Sequence, residues 1–188
     1  MPDRNATGLV VDWQATAAIV NLRGDAGDAA FVDTVQGAVG LALPRAACTT
    51  TGDADRRILW AGPDDWFVLA ASDAPAALAS RLQTRLAGRH HAVVDVSSGY
   101  RVLRLAGAGA RTLLAQGCPL DLHPRAFMPG QCMGSHFFKA SVWLWRPDES
   151  DGFELLVRSS FAGYVARLVA DACSAPCVRD RSKPAVPG

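Results

Sequence analysis

The sequence contains no apolar run that approaches the ~20 residues needed to cross a membrane. It also has almost no excess of one charge. The 19 Lys and Arg residues against 18 Asp and Glu give a formal net charge of +1, so no strong field attracts nucleic acid or anionic lipid. The N-terminal segment has an early acidic residue and no clean hydrophobic stretch, unlike a secretory signal. We therefore expect a soluble cytoplasmic protein with no nucleic-acid and no membrane partner.

Cysteine is scarce and odd in number: Cys48, Cys118, Cys132, Cys173 and Cys177. An odd count without a signal peptide argues against a disulfide framework. Cys173 and Cys177 are separated by three residues, but no second pair and no nearby His completes a tetrahedral zinc site. We predict free thiols and no metal site.

Motifs for catalysis are also missing. Gly107-Ala108-Gly109 lies between a predicted strand and helix, as in dinucleotide-binding folds. However, Thr112 occupies the third glycine position, and no acidic residue ends a following strand near position 127. We interpret the segment as a tight strand-to-helix turn.

Four histidines, His90, His91, His123 and His136, include no pair at the i, i+4 spacing of helical metal ligands. No Ser or Cys lies in a nucleophile-elbow motif. Asp95 lies within an apolar strand, next to the turn at 97–99, and we expect its carboxylate to cap this turn; a perturbed catalytic carboxylate is the alternative. We predict no catalytic, cofactor-binding or metal-binding residue in this chain.

The 188 residues, 49% apolar and 20% charged, suit one globular domain or two small ones. The first half predicts, in order, a strand at 17–22, a helix from 25 to 39, a loop at 48–55, hairpin strands at 56–60 and 66–70, and a helix at 75–86. Asp25 is the predicted N-cap of the first helix, and Ser72 or Asp73 that of the second. Phe31, Val35 and Val39 give the first helix its apolar stripe.

The second half predicts elements in a similar order, namely strands at 92–96 and 100–106, a helix at 110–116, an irregular segment at 121–135, strands at 137–145 and 153–157, and a helix at 161–172 capped by Ser159 or Ser160. This agreement predicts an internally duplicated α+β fold. Each βαββα unit would form an antiparallel sheet with helices packed on one face. The expected boundaries are a lead-in (1–16), a first repeat (17–90), a second repeat (91–173) and a flexible tail (174–188).

Trp143 and Trp145 alternate on a predicted strand and so share one face, with Val142 and Leu144 on the other. A strand that is apolar on both faces needs two covers, which are either the two repeats or one repeat and another chain. Phe137 and Phe138 extend the apolar area. We expect Phe137, Phe138, Trp143 and Trp145 to be the candidates for a partner interface.

Several of these segments together resemble the gamma subunits of heterotetrameric sarcosine oxidases. The resemblance covers about residues 17–172 and is carried by ILWAGPDDWFVL at 58–69, VDVS at 94–97, the strand at 101–105, CPLDL at 118–122 and DGFELLVRSSF at 151–161. It also implies a fold similar to folate-binding aminomethyltransferase domains.

The resemblance implies a non-catalytic subunit without its own cofactor, bound to larger flavin-bearing subunits that carry FAD, FMN, NAD and tetrahydrofolate. Such an assembly demethylates sarcosine oxidatively to glycine, hydrogen peroxide and a one-carbon unit. Related assemblies could act on other N-methylated amines. The alternative is a stand-alone folate-binding protein of the aminomethyltransferase type, for which Asp95 is the candidate pterin carboxylate.

Overall fold

The computed structural model describes residues 8–14, 18–147 and 152–174. The strands of this part of the chain are β1 Val10–Trp13, β2 Ala18–Gly24, β3 Thr50–Gly52, β4 Arg56–Gly62, β5 Asp65–Ala70, β6 His91–Asp95, β7 Tyr100–Ala106, β8 Cys132–Phe137, β9 Ala140–Trp145 and β10 Phe153–Arg158. The helices are α1 Ala29–Val39, α2 Pro75–Leu86, α3 Gly109–Ala115 and α4 Ser159–Ser174.

These strands form two five-stranded sheets in which all neighbouring strands are antiparallel. Sheet I has the order β3-β4-β5-β2-β6, and sheet II has the order β8-β9-β10-β7-β1. The predicted α+β class, with antiparallel sheets and helices, is confirmed.

The sheets pack face to face, and each carries its helices on the outer side. Apolar residues of α1 and α2 meet one face of sheet I, while those of α3 and α4 meet one face of sheet II. A third cluster lies between the sheets and joins Ile19, Leu59, Phe67 and Leu69 of sheet I to Val102, Cys132, Trp145 and Leu156 of sheet II. The result is four layers in the order helix, sheet, sheet, helix.

The two sheets exchange their edge strands. β1 precedes the strands of sheet I in the chain but pairs with β7 of sheet II. β6 directly precedes β7 but pairs with β2 of sheet I. Apart from this exchange, the strands run β2, β3, β4, β5 in sheet I and β7, β8, β9, β10 in sheet II, with the same neighbour order. The duplication itself stays a prediction that this common order favours.

The exchange changes two predicted boundaries. Part of the expected lead-in, 1–16, forms β1, because the alternate apolar residues Val11 and Trp13 pack against the core under sheet II. β6 was expected within the second repeat, yet its Val93 packs into the core of sheet I. The predicted tail beyond residue 174 lies outside the described residues.

Local polar groups explain how the helices begin. The prediction that Asp25 caps α1 is wrong: Asp28 is the N-cap, its Oδ1 accepting from Ala30 N at 2.9 Å. Asp25 instead accepts from Gly27 N in the preceding turn. α1 ends at Gly40, whose φ of 83° suits glycine. The predicted stripe of Phe31, Val35 and Val39 is buried as expected.

α2 begins at Pro75, as predicted, but its N-cap is Ala74 and makes no side-chain bond. Neither Ser72 nor Asp73 caps this helix, because both are engaged elsewhere. The Ser72 hydroxyl donates to Asp55, and Asp73 pairs with Arg81. α4 starts at Ser159 itself, directly after β10, whereas the prediction placed a serine cap before residue 161.

Two predicted irregular segments contain strands. β3 lies in the expected loop at 48–55, and β8 begins inside the expected irregular segment at 121–135. The sequence did not predict these strands because they have few apolar side chains. Thr50–Gly52 contains none, and the Met-Gly-Ser-His part of β8 is mostly polar. An isolated antiparallel β-bridge between Thr49 and Gln131 connects the segments that precede β3 and β8, the edge strands of the two sheets.

The single strand predicted at 137–145 is wrong. The chain turns at Phe138 and Lys139, so that β8 ends at Phe137 and β9 begins at Ala140, its cross-strand partner. Phe138 adopts a positive φ of 50°, a conformation normally occupied by Gly or Asn. Because Phe137 and Phe138 are both typical of strands, the sequence did not predict a turn at this position.

Candidate functional site

The aromatic residues of β9 lie between the two sheets. Trp145 belongs to the inter-sheet cluster and Trp143 packs against it, whereas Val142 and Leu144 face the helices. The predicted alternation is therefore correct. The second cover of the strand is sheet I of the same chain.

The four interface candidates differ in exposure. Phe137 and Trp145 are 0% and 1% exposed, so neither offers surface to a partner. Trp143 is partly buried, and Phe138 is 41% exposed. Of the four candidates, Phe138 and Trp143 are the two with accessible surface.

Phe138 is held in place at the tip of the β8–β9 hairpin. Its backbone N–H donates to Gly117 O at 2.8 Å, and its ring lies edge-on to Phe137, with centroids 5.0 Å apart. A Cβ at position 117 would come within 2.4 Å of the Phe138 ring. The exposed ring thus packs directly on the glycine that follows α3.

A groove opens beside this hairpin, where sheet I no longer covers sheet II. We call it the aromatic groove; its volume is about 550 Å³ and its lining includes Tyr100, Leu120, His136, Trp143 and Arg158. Phe67 of sheet I contacts two of these rings, with centroid distances of 5.4 Å to Tyr100 and 5.9 Å to Trp143. The guanidinium of Arg158 lies 5.3 Å from the Tyr100 ring centroid, within range of a cation–π interaction.

Sheet pairing creates this groove. Arg158 is opposite Tyr100 in the β10–β7 ladder, and Leu156 is opposite Trp143 in the β10–β9 ladder. Sequence reasoning missed Tyr100, His136 and Arg158, because the three belong to different strands whose register is not visible in the chain. The position of Arg158 at the end of an apolar strand was the one available signal.

A second, polar groove of about 460 Å³ lies at the other end of the inter-sheet space, and its lining includes Asp53, Asp55, Arg57, Arg104 and Glu154. Asp53 Oδ1 accepts from Asp55 N and Arg56 N at 2.8 and 2.7 Å. Backbone bonds from Arg56 and then Asp55 hold the Asp53 pKa below its usual value. The carboxylate of Asp53 thus stabilises the loop between β3 and β4.

Asp95 caps its turn as predicted. Its Oδ1 accepts from Ser97 Oγ at 2.6 Å and from Ser97 N at 2.9 Å, and these two bonds lower the pKa of the carboxyl. Ser97 Oγ in turn accepts from Ile19 N at 2.9 Å, which ties the turn to sheet I. Asp95 therefore stabilises its own turn through Oδ1.

Gly107 forms the predicted strand-to-helix turn. Its φ is 88°, and a Cβ there would lie 2.0 Å from Gly8 O. The glycine is thus needed for the approach of the segment that leads into β1, which gives a structural reason for the motif.

The cysteines of the described part, Cys48, Cys118, Cys132 and Cys173, are unpaired; Cys177 lies outside it. Burial raises the pKa of Cys132 to about 12, so this thiol stays protonated at neutral pH. Within the same residues, no group of three or more His, Cys, Asp or Glu side chains is placed to hold a metal ion, and none of the helices has the length and apolarity of a membrane span.

Comparison with known proteins assigns the fold and the family. The architecture superposes on the aminomethyltransferase T of the glycine cleavage system from Bartonella henselae with a TM-score of 0.64 at 15% identity, covering 87% of this chain and 46% of that one; at this identity the likeness concerns the fold alone. It superposes on a chain of the heterotetrameric sarcosine oxidase from Corynebacterium sp. U-96, solved with pyrrole 2-carboxylate, with a TM-score of 0.83 at 29% identity, covering 92% and 87%.

Residues 23–175 match the sarcosine oxidase gamma subunit family. The chain is 37% identical over 138 residues to the sarcosine oxidase subunit gamma of Corynebacterium sp. strain U-96, a span of 73% of this chain and 66% of the relative. It is 33% identical over 161 residues to that of strain P-1, covering 85% and 77%. The chain belongs to the sarcosine oxidase gamma subunit family.

Proposed function

We propose that this chain is the accessory gamma subunit of a cytoplasmic heterotetrameric sarcosine oxidase. The observation that carries the proposal is the structural similarity of this chain to a chain of a heterotetrameric sarcosine oxidase. The similarity covers 92% of the present chain. The assembly would demethylate sarcosine oxidatively to glycine, a one-carbon unit and hydrogen peroxide. FAD, FMN, NAD and tetrahydrofolate would reside in the larger subunits.

The polar groups of this chain support a structural role. Three aspartates have a lowered pKa, and in each case the cause is a local contact: Asp53 with backbone amides, Asp73 with Arg81, and Asp95 with Ser97. All three partners lie within eight residues along the chain. These carboxylates stabilise turns and helix starts, as expected of a subunit that contributes surface rather than a reactive centre.

The surface that contacts the larger subunits would include Phe138 and the aromatic groove. Tyr, Trp and Arg side chains are enriched at protein interfaces, and the groove combines all three types. Phe138 adds an exposed aromatic ring at the tip of the neighbouring hairpin. Since Phe137 and Trp145 are buried, they would support this surface from within.

Co-expression of the larger subunits with and without this chain tests the proposal. We expect sarcosine-dependent peroxide formation, and a stable assembly, only when the chain is present. The purified chain alone should show no flavin absorbance and no turnover. Unchanged assembly and activity without the chain would contradict the accessory role, as would flavin and turnover in the chain alone.

The alternative function is that of a stand-alone folate-binding protein. Titration of tetrahydrofolate into the purified chain distinguishes it from the accessory subunit. Asp95, the candidate pterin carboxylate, has a structural role in its own turn through Oδ1, and we expect no saturable binding. Saturable binding by the isolated chain would favour the alternative.

A further inference from the structure

The rim of the aromatic groove carries the positive charge of Arg158, an exposed residue. Four ion pairs of the described residues, Arg23–Asp64, Arg56–Asp55, Arg81–Asp73 and Arg89–Asp28, lie in the first half of the chain. Arg158 and Lys139, at the open end of sheet II, have no carboxylate partner in the described part of the chain.

The acidic residues near this end are already engaged in their own turns. Asp95 accepts bonds from Ser97, and Asp121 Oδ1 accepts from His123 N at 2.9 Å. Neither is paired with Arg158. The groove therefore presents an exposed guanidinium beside partly buried aromatic rings.

The position of Arg158 is fixed by its neighbours. It lies opposite Tyr100 in the ladder, and its guanidinium rests over the ring. A guanidinium at this cation–π distance can still donate its N–H groups to a carboxylate. The contact with the ring restrains the side chain, which lowers the entropy lost when a partner binds.

We propose that the aromatic groove receives a segment of a larger subunit that carries an Asp or Glu next to an apolar side chain. The carboxylate pairs with Arg158, and the apolar side chain packs against Trp143 and Tyr100. Lys139, on the adjoining turn, adds long-range attraction for the acidic segment. This inference rests on the proposed function and specifies the chemistry of its docking surface.

The first test measures retention of this chain on affinity-tagged larger subunits, at low and high salt. We expect Arg158→Glu to reduce retention at least about ten-fold, and Arg158→Lys to retain most of it. The wild-type interaction should weaken with salt, and that dependence should diminish in the variant. Arg125→Glu is the matched control, because Arg125 is exposed and lies in the segment near Phe127, at the other end of sheet II.

Retention of Arg158→Glu equal to wild type would overturn the docking site but leave the accessory role standing. If the wild-type chain is not retained by the larger subunits, both the accessory role and the docking site are wrong. Thermal unfolding of each purified variant shows whether reduced retention reflects misfolding.

A second measurement decides the matter if Arg158→Glu does not fold. A photo-crosslinking residue replaces Ser141, which is exposed and lines the groove, and the crosslinked peptide is identified in the assembled enzyme. The expected peptide comes from a larger subunit and contains Asp or Glu. A crosslink to a second copy of this chain, to a peptide without an acid, or to no other chain would refute the proposal.

Discussion

Single residues fix several turns of this chain through contacts within a few positions. Asp95 caps the turn at Ser97, and Asp28 caps α1, each by accepting from an amide two residues later. Short polar side chains in front of a turn or helix make such bonds from almost any surrounding structure. This explains why the role of Asp95 was predictable, and why choosing Asp25 for α1 missed by only three residues.

Gly107 is the residue whose replacement should have the clearest effect. Ala at φ 88° is strained, and its Cβ would meet Gly8 O at 2.0 Å. We expect Gly107→Ala to lower the free energy of unfolding by about 2 kcal/mol or more, measured by denaturant titration. Displacement of β1 from β7 should accompany the loss.

Gly163→Ala is the matched control. Gly163 lies within α4, and a Cβ there meets nothing within 4 Å. Because Ala is the better helix former, this change should stabilise the chain by about 0.5–1 kcal/mol. Equal stability of the two variants would contradict the role assigned to Gly107.

At the scale of elements, apolar periodicity was the dependable signal. The stripe of α1 and the alternation of β9 both follow from the 3.6 and 2.0 periods of helix and strand. The β8–β9 turn was missed because its first residue is Phe138, at a φ that favours Gly. Such a turn is selected by the packing of Phe138 on Gly117 and Phe137, contacts that the sequence does not display.

An ion pair joins the segment before α2 to the helix itself, whose N-cap makes no side-chain bond. Asp73 Oδ2 and Arg81 Nη2 are 2.5 Å apart, and the side chains are 19% and 30% exposed. The hydrogen bond from Arg81 holds the pKa of Asp73 below its usual value. We expect Asp73→Asn to cost about 1 kcal/mol near pH 7, a fall of roughly 2–4 °C in Tm for a chain of this size.

This cost should depend on pH with a defined sign. A carboxyl whose pKa is lowered by folding stabilises the protein fully above its unfolded pKa, and the contribution is lost as pH falls through the folded value. The Tm difference between wild type and Asp73→Asn should therefore be constant from pH 5 to 8 and shrink below about pH 4. Asp33→Asn, at an exposed position of α1, should show no such change; a pH-independent difference for Asp73→Asn would argue against the pair.

At the scale of the whole molecule, the two sheets depend on each other. Each takes one edge strand from the other half of the chain, and both contribute to the inter-sheet core. The halves predicted at 17–90 and 91–173 thus share their stabilising contacts. We propose that they are two repeats of one cooperative unit.

Division of the chain at Gly88, in the exposed connection between α2 and β6, tests this cooperation. The two fragments should fail to fold separately, because each lacks an edge strand and exposes half of the inter-sheet core. Expressed together, they should copurify and melt as one unit, as followed by circular dichroism. Independent folding of either fragment would show that the repeats are separate domains.

The sequence by itself determined the class of fold, most of the helices and strands, the absence of a strong field for nucleic acid and the resemblance to its family. These features depend on periodicity, on composition or on residues close together in the chain. Only the tertiary structure decided that β1 and β6 exchange sheets, that Trp145 is core, and that Tyr100, Trp143 and Arg158 border one groove. Strand register and sheet packing join residues that are tens of positions apart, and the free energy of those contacts belongs to the assembled core rather than to any segment of it.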